Sequence, residues 1–297
     1  MHTGDPLIIN LACTGIVPTR TMSRYVPLNH SEIVDDVARC FELGVQMVHL
    51  HARDADGEQT GDPEPYARLI EAIRKLPGGR EALLCVTTTG RKETDFESRS
   101  RVLELDGDAR PDMASLTPSS LNFSQSASVN EPETVMLLAA RMQARGIRPE
   151  LEVFDLGMAN YSRVLLKKGL LTAPLYANVL LGNIAGAQAE ALHLAAVRAA
   201  LPEGCIVSLA GIGRYQLVAN GLGLLLADGV RVGLEDNLWF DRARTTAATN
   251  LALVQRLLRL ANEFERPLID RRSLRERLGI GSAPPAVRSA QSSAITL

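Results

Sequence analysis

Two histidines and two adjacent acids are the residues of this chain whose types and spacing could hold a metal ion. His49 and His51 close one strand-like apolar run, and Glu235 and Asp236 directly follow another. Residues two apart in an extended chain share a face, so both imidazoles point the same way, each with a nitrogen free to bind a cation. If both runs belong to one parallel barrel, two histidines and a carboxylate make three protein ligands and leave room for substrate, as in catalytic zinc sites. The sequence therefore predicts metal-assisted chemistry.

A His-x-His pair on a strand also fits a second interpretation, namely two hydrogen-bonded histidines packed near a sheet edge. The residues after His51 favour the metal site, because they form a polar stretch that reaches the Asp-Gly turn signal at Asp56 and Gly57. Both histidines are thereby placed at the carboxyl end of a strand, which is the end where barrel enzymes keep their chemistry.

Short apolar runs alternate with amphipathic stretches along the chain, which is typical of repeated strand-helix units around a parallel sheet. We predict strands over residues 7–13, 45–51, 83–88, 113–117, 150–154, 175–181, 206–210 and 230–234. We predict helices near residues 31–43, 65–75, 94–104, 132–145, 158–168, 187–200, 214–227 and 242–263. Eight alternating units predict a closed (β/α)8 barrel of the TIM type.

The residues at the ends of the predicted helices agree with this fold. Ser31 is predicted to cap the first helix, and Gly44 and Gly146 stand where a helix commonly ends in a left-handed residue. The alternative fold, a doubly wound open sheet, would need a glycine-rich phosphate turn after the first strand, and residues 13–18 (CTGIVP) do not form one. We therefore predict a catalytic barrel over residues 1–265 and a C-terminal extension over residues 266–297 that is frayed or wraps on a neighbouring subunit.

The composition is that of an ordinary globular enzyme and argues against two classes of partner. The chain has 297 residues, of which 46% are hydrophobic and 22% charged, and its formal net charge is -2. Without a long basic run, this charge argues against nucleic-acid binding, and no apolar run reaches the roughly 18 residues that a membrane span needs. The cysteines are widely spaced, and residues 1–6 lack the basic region and apolar core of a signal peptide, so we expect a reduced, cytoplasmic protein.

The carboxyl ends of the predicted strands carry polar side chains that a barrel would bring to one mouth. In chain order these are Thr14; His49 and His51; Thr87, Thr88 and Thr89; Thr117, Ser119 and Asn122; Glu152 and Asp155; Asn183; Gly211 to Arg214; and Arg231, Glu235 and Asp236. Their convergence is stronger evidence for a functional site than any single motif.

Five of these strand ends, read as short words, resemble the β-keto acid cleavage enzyme family. The matching segments are residues 48–54 (VHLHARD), 87–90 (TTTG), 115–118 (SLTP) with 122–123 (NF), 149–155 (PELEVFD) and 230–237 (VRVGLEDN). The resemblance runs in order from about residue 7 to about residue 260, and the last thirty or so residues carry little of it.

The resemblance implies a zinc-dependent barrel, commonly a homotetramer or homodimer, that converts a β-keto acid and acetyl-CoA into acetoacetate and a new acyl-CoA. The family's metal ligands match His49, His51 and Glu235, and its base matches Asp236. The family's arginine that binds the substrate carboxylate matches Arg231. Its hydroxyl residue after the third strand matches Thr87 or Thr88, and the threonine after the fourth strand matches Thr117.

The chemistry of these residue types agrees with that reaction. A zinc ion would polarise the ketone of a β-keto acid and favour loss of the neighbouring proton. Asp236 would be well placed to accept that proton, and Arg231 with the threonine hydroxyls would stabilise the oxyanion formed on the thioester. Transfer of coenzyme A and the final carbon-carbon cleavage are implied by the resemblance alone.

One segment departs from the family pattern and bears on the substrate. Members that act on an amino-bearing substrate carry a glutamate just after the first strand, where this chain has Thr14, Gly15, Ile16 and Val17. An unpaired ammonium group buried beside Val17 would be costly, so we expect a substrate with a neutral tail unless Glu152 supplies the missing charge.

Several of the candidate residues keep structural interpretations. Arg231 could form a salt bridge that closes the barrel, and Glu152 and Asp155 could cap the next helix. Arg214, a substrate-binding candidate together with Thr14, Glu152 and Asn122, could equally meet a phosphate group or a surface acid. Trp239 is expected to pack at a subunit contact rather than to form a platform for a cofactor.

Two other functions remain as alternatives. A metal-dependent hydrolase or lyase on a TIM barrel, such as an amidohydrolase, also uses His-x-His, but it needs two further histidines, and His2, His30 and His193 fall in the amino terminus, a loop and a helix. A barrel that binds an acyl-CoA or keto acid without turnover would be expected to lose a ligand or the base, and this chain keeps all four residues.

Overall fold

A closed parallel barrel forms the centre of the molecule. The computed structural model describes residues 5–281. The eight barrel strands are hydrogen-bonded in the order β1-β10-β9-β8-β7-β4-β3-β2, which confirms the predicted TIM barrel. They are β1 (Ile8–Ala12), β2 (Met47–Leu50), β3 (Leu83–Val86), β4 (Met113–Leu116), β7 (Arg148–Val153), β8 (Tyr176–Leu181), β9 (Ile206–Gly211) and β10 (Gly229–Val232). A small antiparallel hairpin that the sequence did not indicate, β5 (Leu121–Asn122) and β6 (Ala127–Ser128), interrupts the connection from β4 to the next helix.

The helices lie between the barrel strands, as the alternation predicts. They are α1 (His30–Glu42), α2 (Pro63–Arg74), α3 (Phe96–Ser100), α4 (Pro132–Ala144), α5 (Leu156–Lys167), α6 (Ala191–Ala200), α7 (Gln216–Leu226), α8 (Asn250–Glu263) and α9 (Arg271–Arg277). Among the described residues, no helix combines the length and the apolar character needed to cross a membrane.

The helix predicted over 242–263 begins eight residues later than expected. Asp241 accepts hydrogen bonds from the backbone and hydroxyl of Thr245, and Arg244 adopts a left-handed conformation with φ of 60°. Because this local turn cannot continue a helix, α8 starts only after Thr249, whose hydroxyl caps it by accepting from the amide of Ala252.

The cap of α1 differs from the prediction. Asn29, not Ser31, is the N-cap: its side chain accepts from the amide of Glu32, and the Glu32 carboxylate reaches back to the amide of Asn29. This is a capping box, in which two otherwise unpaired amides bind reciprocally. The predicted helix ends are confirmed, since Gly44 and Gly146 have φ of 87° and 63°.

The amino-terminal end of the barrel is closed by the segment that follows α8. The amide of Leu7 donates to the carbonyl of Pro267, and the amide of Ile269 donates back to Leu7. Leu274 of α9 and Leu278, which directly follows this helix, pack against the apolar residues that fill the lower barrel. Residues 266–281 of the predicted extension therefore form the barrel floor, and residues 282–297 lie outside the described part of the chain.

Candidate active site

A cavity of about 440 Å³ opens at the carboxyl ends of the barrel strands. Its wall is polar near the floor and apolar near the rim, where Ile16, Val17, Phe123, Phe154 and Trp239 contribute. The polar residues that line it are His51, Thr87, Thr89, Arg91, Thr117, Ser124, Ser128, Glu152, Asn183, Arg231, Glu235, Asp236, Asn237 and Arg244. The prediction that polar strand ends meet at one mouth therefore agrees with the geometry.

The two halves of the predicted metal site come together on either side of β1. The Nε2 atoms of His49 and His51 are 3.2 Å apart, and Glu235 Oε1 lies 3.3 Å from His51 Nε2 and 3.9 Å from His49 Nε2. The backbone holds the carboxylate in place, because the amide of Glu235 donates to the carbonyl of Ala12. Gly15 passes so close that a Cβ atom there would lie 2.5 Å from Glu235 Cγ, which leaves glycine as the residue that fits.

His49 is oriented from behind by Glu150, a fully buried acid on β7. Its Nδ1 lies 2.6 Å from Glu150 Oε2, and this hydrogen bond keeps the Nε2 lone pair directed toward Glu235. Three more donors, Asn10 Nδ2, Asn178 Nδ2 and Cys85 Sγ, bind the same carboxylate. Burial alone would raise the pKa of Glu150, but His49 and the other donors lower it to about 2, so this acid stays charged.

The three ligand atoms fit a divalent cation. Two ligand atoms that each lie about 2 Å from a tetrahedral zinc ion are about 3.3 Å apart. The separations of His51 Nε2 from His49 Nε2 (3.2 Å) and from Glu235 Oε1 (3.3 Å) are close to this value. Glu235 Oε2 and His51 Nδ1 are buried without a hydrogen-bond partner among the described residues. Two imidazoles and a carboxylate suit zinc, iron, cobalt or manganese, so the residues fit a metal and leave its identity open.

A second cluster, formed by His49, Cys85 and Glu150, also has ligand atoms close together. Its distances are those of hydrogen bonds, with the Cys85 thiol donating to Glu150 over 3.1 Å. Burial and the nearby carboxylates raise the pKa of Cys85 well above its usual value, which disfavours the thiolate that a metal would need. This cluster supports His49 rather than forming a second centre.

Arg231 binds three carboxylates at the floor of the cavity. Its Nε and Nη2 donate to the two oxygens of Asp236 over 3.0 and 3.1 Å, its Nη2 donates to Glu235 over 2.6 Å, and its Nη1 to Glu152 over 3.3 Å. Although burial alone would raise the pKa of Glu235, the charges of Arg231 and the histidines hold it well below its ordinary value. Burial raises the pKa of Asp236, and Arg231 opposes that rise only in part.

The carboxylates around Arg231 give this part of the site a local excess of negative charge. Glu152, Glu235 and Asp236 all bind this one guanidinium, and the other arginines that line the cavity, Arg91 and Arg244, form no ion pair with them among the described residues. Buried charges need partners, and a divalent cation at the histidines would offset two of the carboxylates. The donor set and the charge balance thus point to the same occupant.

The hydroxyl candidates separate into two groups. Thr87 lines the cavity, whereas the Thr88 hydroxyl turns away and donates to the carbonyl of Ser115 over 2.6 Å. The Thr117 hydroxyl lines the cavity and donates to Glu152 Oε2 over 2.9 Å. Thr87 and Thr117 are therefore placed to contact a substrate, and Thr88 is placed to hold the loop.

Three predicted substrate-binding residues are not among the described residues that line the cavity. Thr14 is fully buried and its hydroxyl donates to Cys13 Sγ over 3.5 Å. Asn122 uses its backbone carbonyl to accept from Asn183, and Arg214 lies exposed beside the ring of Tyr215. Their positions favour structural roles.

Residues that the sequence analysis did not single out also belong to the site. Glu150 could have been noticed, because an acid two positions before Glu152 on a strand must be buried beside a partner. Arg91 lines the cavity but stands in the charged loop RKETD, which gave no signal of its position. Trp239, which the sequence analysis did consider and for which we expect a subunit contact, lines the cavity as well.

The remaining histidines of the described chain lie elsewhere. His30 Nε2 bonds the carbonyl of Arg68, and His193 Nδ1 accepts from the amide of Gln188. The described residues therefore bring two histidines to the metal site, which argues against the amidohydrolase alternative.

A larger cavity, of about 570 Å³, lies near the amino-terminal ends of β4 and β7. Its walls carry arginines that already bind acids or carbonyls, for example Arg80 with Asp108 and Arg148 with the carbonyl of Thr172. It contains no histidine and lies away from the metal ligands, so the smaller cavity at the mouth is the functional candidate.

Sequence comparisons agree with the geometry. Residues 6–280 match the model of a family described as beta-keto acid cleavage enzyme. The chain is 35% identical over 282 residues to the 3-oxoadipate:acetyl-CoA acetyltransferase of Cupriavidus necator. This alignment covers 94% of this chain and 96% of that protein. It is 34% identical over 267 residues to the 3-keto-5-aminohexanoate cleavage enzyme of Fusobacterium nucleatum, covering 89% of this chain and 94% of that one.

The fold is shared with solved structures of ObcA. The apo structure of ObcA superposes with a TM-score of 0.74 at 20% sequence identity, over 87% of this chain and 66% of that chain. This chain thus spans about two thirds of the length of ObcA. At this level of identity the likeness shows the barrel and leaves the chemistry to the residues of the site.

Proposed function

Because the chain belongs to the beta-keto acid cleavage enzyme family, we propose that it is a metal-dependent acyltransferase that converts a β-keto acid and acetyl-CoA into acetoacetate and a new acyl-CoA. The observation that carries this proposal is the meeting of His49, His51 and Glu235 directly beside Asp236 and Arg231. A set of metal ligands next to a buried acid-guanidinium pair suits proton removal beside a ketone.

The metal is the first finer part of the proposal. His49 and His51 would hold it through Nε2 and Glu235 through its carboxylate, with Glu150 fixing the ring of His49. When bound, a divalent cation acts as a Lewis acid that polarises the ketone of the keto acid. We propose zinc, since two histidines and one carboxylate form a common catalytic zinc set.

Asp236 is the proposed base. It would accept a proton from the carbon between the ketone and the carboxylate of the substrate, and burial keeps its pKa above the ordinary aspartate value, which favours proton acceptance. Arg231 holds both oxygens of Asp236 and adds the positive charge that an enolate or a thioester oxyanion requires. Thr87 and Thr117 present hydroxyl groups to the same cavity.

The tail of the substrate is the second finer part of the proposal. Val17 lines the cavity where amine-binding members carry a glutamate, and both oxygens of Glu152 are engaged, one by Arg231 and one by Thr117. A cationic tail would therefore find no free carboxylate, so we propose a substrate that lacks an amino group. The neutral tail that we expect from the sequence meets this condition, and so does an anionic one.

The assembly and the cellular location remain predictions. The family resemblance leads us to expect a homotetramer or homodimer, and the cysteine spacing leads us to expect a cytoplasmic protein. A sedimentation measurement of the purified protein would establish the number of subunits.

A metal analysis followed by an acetoacetate assay tests the proposed function. The purified protein should hold about one metal ion per chain. It should form acetoacetate from acetyl-CoA and at least one member of a panel that contains 3-oxohexanoate, 3-oxoadipate and 3-keto-5-aminohexanoate. The aminated member should be the poorest substrate.

Two variants make the assay specific. His49→Ala should lose both metal and turnover, whereas Asp236→Asn should keep the metal and lose turnover by about 1000-fold, as expected for removal of a general base. Asp108→Asn, which changes an exposed acid at the opposite end of the barrel, is the matched control and should behave as the unmodified protein. Metal without acetoacetate from any keto acid would contradict the proposed reaction, and absence of metal would contradict the proposed mechanism.

A further inference from the structure

Arg91 is an arginine in the cavity wall that lacks a carboxylate partner. Its guanidinium carbon stacks 3.5 Å from the centre of the Phe123 ring, and Phe123 in turn packs edge-on against Phe154 with ring centres 5.6 Å apart. Its Nε is buried without a hydrogen-bond partner, and none of the acids among residues 5–281 forms an ion pair with it. The aromatic stack fixes the plane of the guanidinium and leaves the hydrogen-bonding edge unused.

Arg231 and Arg91 line the same cavity but differ in their carboxylate partners. Arg231 is bound by three carboxylates in the same cavity, so its charge is already compensated. Arg91 has only Glu235 and Glu152 near enough to act on its pKa, and burial lowers that pKa in spite of them. Both of those acids are engaged elsewhere, by Arg231 and by His51 or Thr117. An anion bound in the cavity would complete the coordination of Arg91.

We propose that Arg91 binds a terminal carboxylate on the tail of the keto acid, so that the preferred substrate is a β-keto diacid. This inference rests on the proposed function and specifies its substrate class. A guanidinium stacked on a ring offers two parallel N–H groups to a carboxylate, the strongest geometry for such a pair. A diacid tail is also compatible with Val17, which lines the same cavity at the position where amine-binding members carry a glutamate, because a glutamate there would repel the far carboxylate.

Coenzyme A carries the other anionic groups that could reach Arg91, and the position of Arg91 favours the keto acid. The long pantetheine arm separates the phosphates of coenzyme A from the reacting thioester. The far carboxylate of a six-carbon keto diacid is only a few bonds from the ketone. Arg91 lines the same cavity as Arg231 and Glu235, which is where the keto acid of the proposed reaction would bind.

Two six-carbon keto acids that differ only at the far end test the proposal. The quantity to measure is the ratio of kcat/KM for 3-oxoadipate to kcat/KM for 3-oxohexanoate, with acetyl-CoA held constant. The unmodified enzyme should prefer the diacid. Arg91→Gln should lower this ratio about 30-fold, the size expected for loss of a hydrogen-bonded charge pair, and Arg91→Lys should restore part of it. Arg80→Gln, at the opposite end of the barrel, is the matched control and should keep the ratio.

A second acceptor separates the two sources of the anion. S-acetyl-N-acetylcysteamine carries the thioester without phosphates, and the loss of diacid preference in Arg91→Gln should persist with it. A loss that appears as a higher KM for acetyl-CoA and vanishes with the short acceptor would overturn the proposal in favour of a phosphate contact. Equal losses for both keto acids would overturn it in favour of a structural role. Turnover of no keto acid of the panel by the unmodified enzyme would refute the proposed function itself, and the Arg91 assignment with it.

Discussion

The two ends of the barrel use the same residue types in opposite ways. At the amino-terminal end, Asp112 is matched on both oxygens, since it accepts from Arg275 over 2.8 Å, from the amide of Leu84 over 3.0 Å and from Arg74 over 3.2 Å. Arg266 there donates to backbone carbonyls in the last turn of α7 and in the residues between α7 and β10. Each of these charges is compensated within the fold.

At the carboxyl-terminal end some charged groups lack partners. Three carboxylates bind the one guanidinium of Arg231, and among residues 5–281 Glu235 Oε2 has no hydrogen-bond partner and Arg91 has no acid. Leaving a buried charge without an oppositely charged partner costs free energy, so a fold that pairs Asp112 with arginines at one end has a reason to leave Arg91 without an acid at the other. This difference distinguishes residues that stabilise the barrel from residues that would bind the proposed metal and substrate.

Removal of a proposed metal ligand at the mouth should have the largest effect on turnover. His51→Ala deletes one of the three ligand atoms at the mouth, and because the metal is the proposed Lewis acid, turnover should fall by at least about 1000-fold. Metal content, measured on the purified variant, should fall with it. Because His51 is buried and its Nε2 contacts His49 and Glu235, circular dichroism of the variant serves as the check that it is folded. A variant that keeps its metal and its activity would remove His51 from the ligand set.

Loss of a matched charge at the other end should damage stability instead. Asp112→Ala leaves Arg275 and Arg74 without their carboxylate, and breaking a buried ion pair in this way typically costs about 3 kcal/mol. Urea unfolding should show this loss, while kcat per folded molecule stays the same. Asp108→Ala, which removes an exposed partner of Arg80, is the control and should leave the unfolding midpoint nearly unchanged. A drop in kcat without a drop in stability would show that the two ends are not separable.

The barrel and the convergence of the proposed metal ligands could be predicted because both depend on short local patterns. Alternating apolar runs and amphipathic stretches predict a parallel barrel, and a barrel brings the residues at the carboxyl ends of its strands to one mouth. His49, His51 and Glu235 are each within three residues of a strand end, so a small error in strand bounds could not separate them.

The parts that could not be predicted depend on contacts between distant loops. Arg91 enters the cavity only because Phe123, from the β5–β6 hairpin, lies beneath it, and nothing in the local sequence around Arg91 indicates that contact. The late start of α8 depends on a turn between Asp241 and Thr245 inside a stretch that reads as helical. Thr87 and Thr88 are adjacent and chemically identical, so only the hydrogen bond to Ser115 distinguishes their roles.

Substitution of Glu150, which lies behind His49, should have an intermediate effect, measured as metal affinity. Glu150→Gln places an amide N–H₂ group among donors that all point at this carboxylate, so His49 would lose its orienting partner. Changes of this kind behind a metal ligand usually weaken metal affinity about 10- to 100-fold. Titration against a competing chelator measures that affinity. Cys85→Ser keeps a donor to Glu150 and should stay close to the unmodified protein. Unchanged affinity in Glu150→Gln would mean that the packing of the barrel alone orients His49.

The smallest effect should come from a polar cluster that lies on the mouth side but is fully paired. Asn29 caps α1, and its capping box with Glu32 engages the two amides at the helix start. Asn29→Ala should therefore cost about 1 kcal/mol of unfolding free energy and leave kcat and metal content unchanged.

Ser31→Ala decides between the two candidate caps. The Ser31 hydroxyl only donates to Asn29 Oδ1 and binds no helix amide, so its removal should cost much less than removal of Asn29. Thermal unfolding of both variants side by side measures the difference. If Ser31→Ala were the more damaging change, the sequence-based cap would be the right one. If Asn29→Ala lowered turnover as well as stability, paired polar groups on the mouth side would also contribute to the reaction. The contrast between paired and unpaired charges would then lie within the mouth and not between the two ends of the barrel.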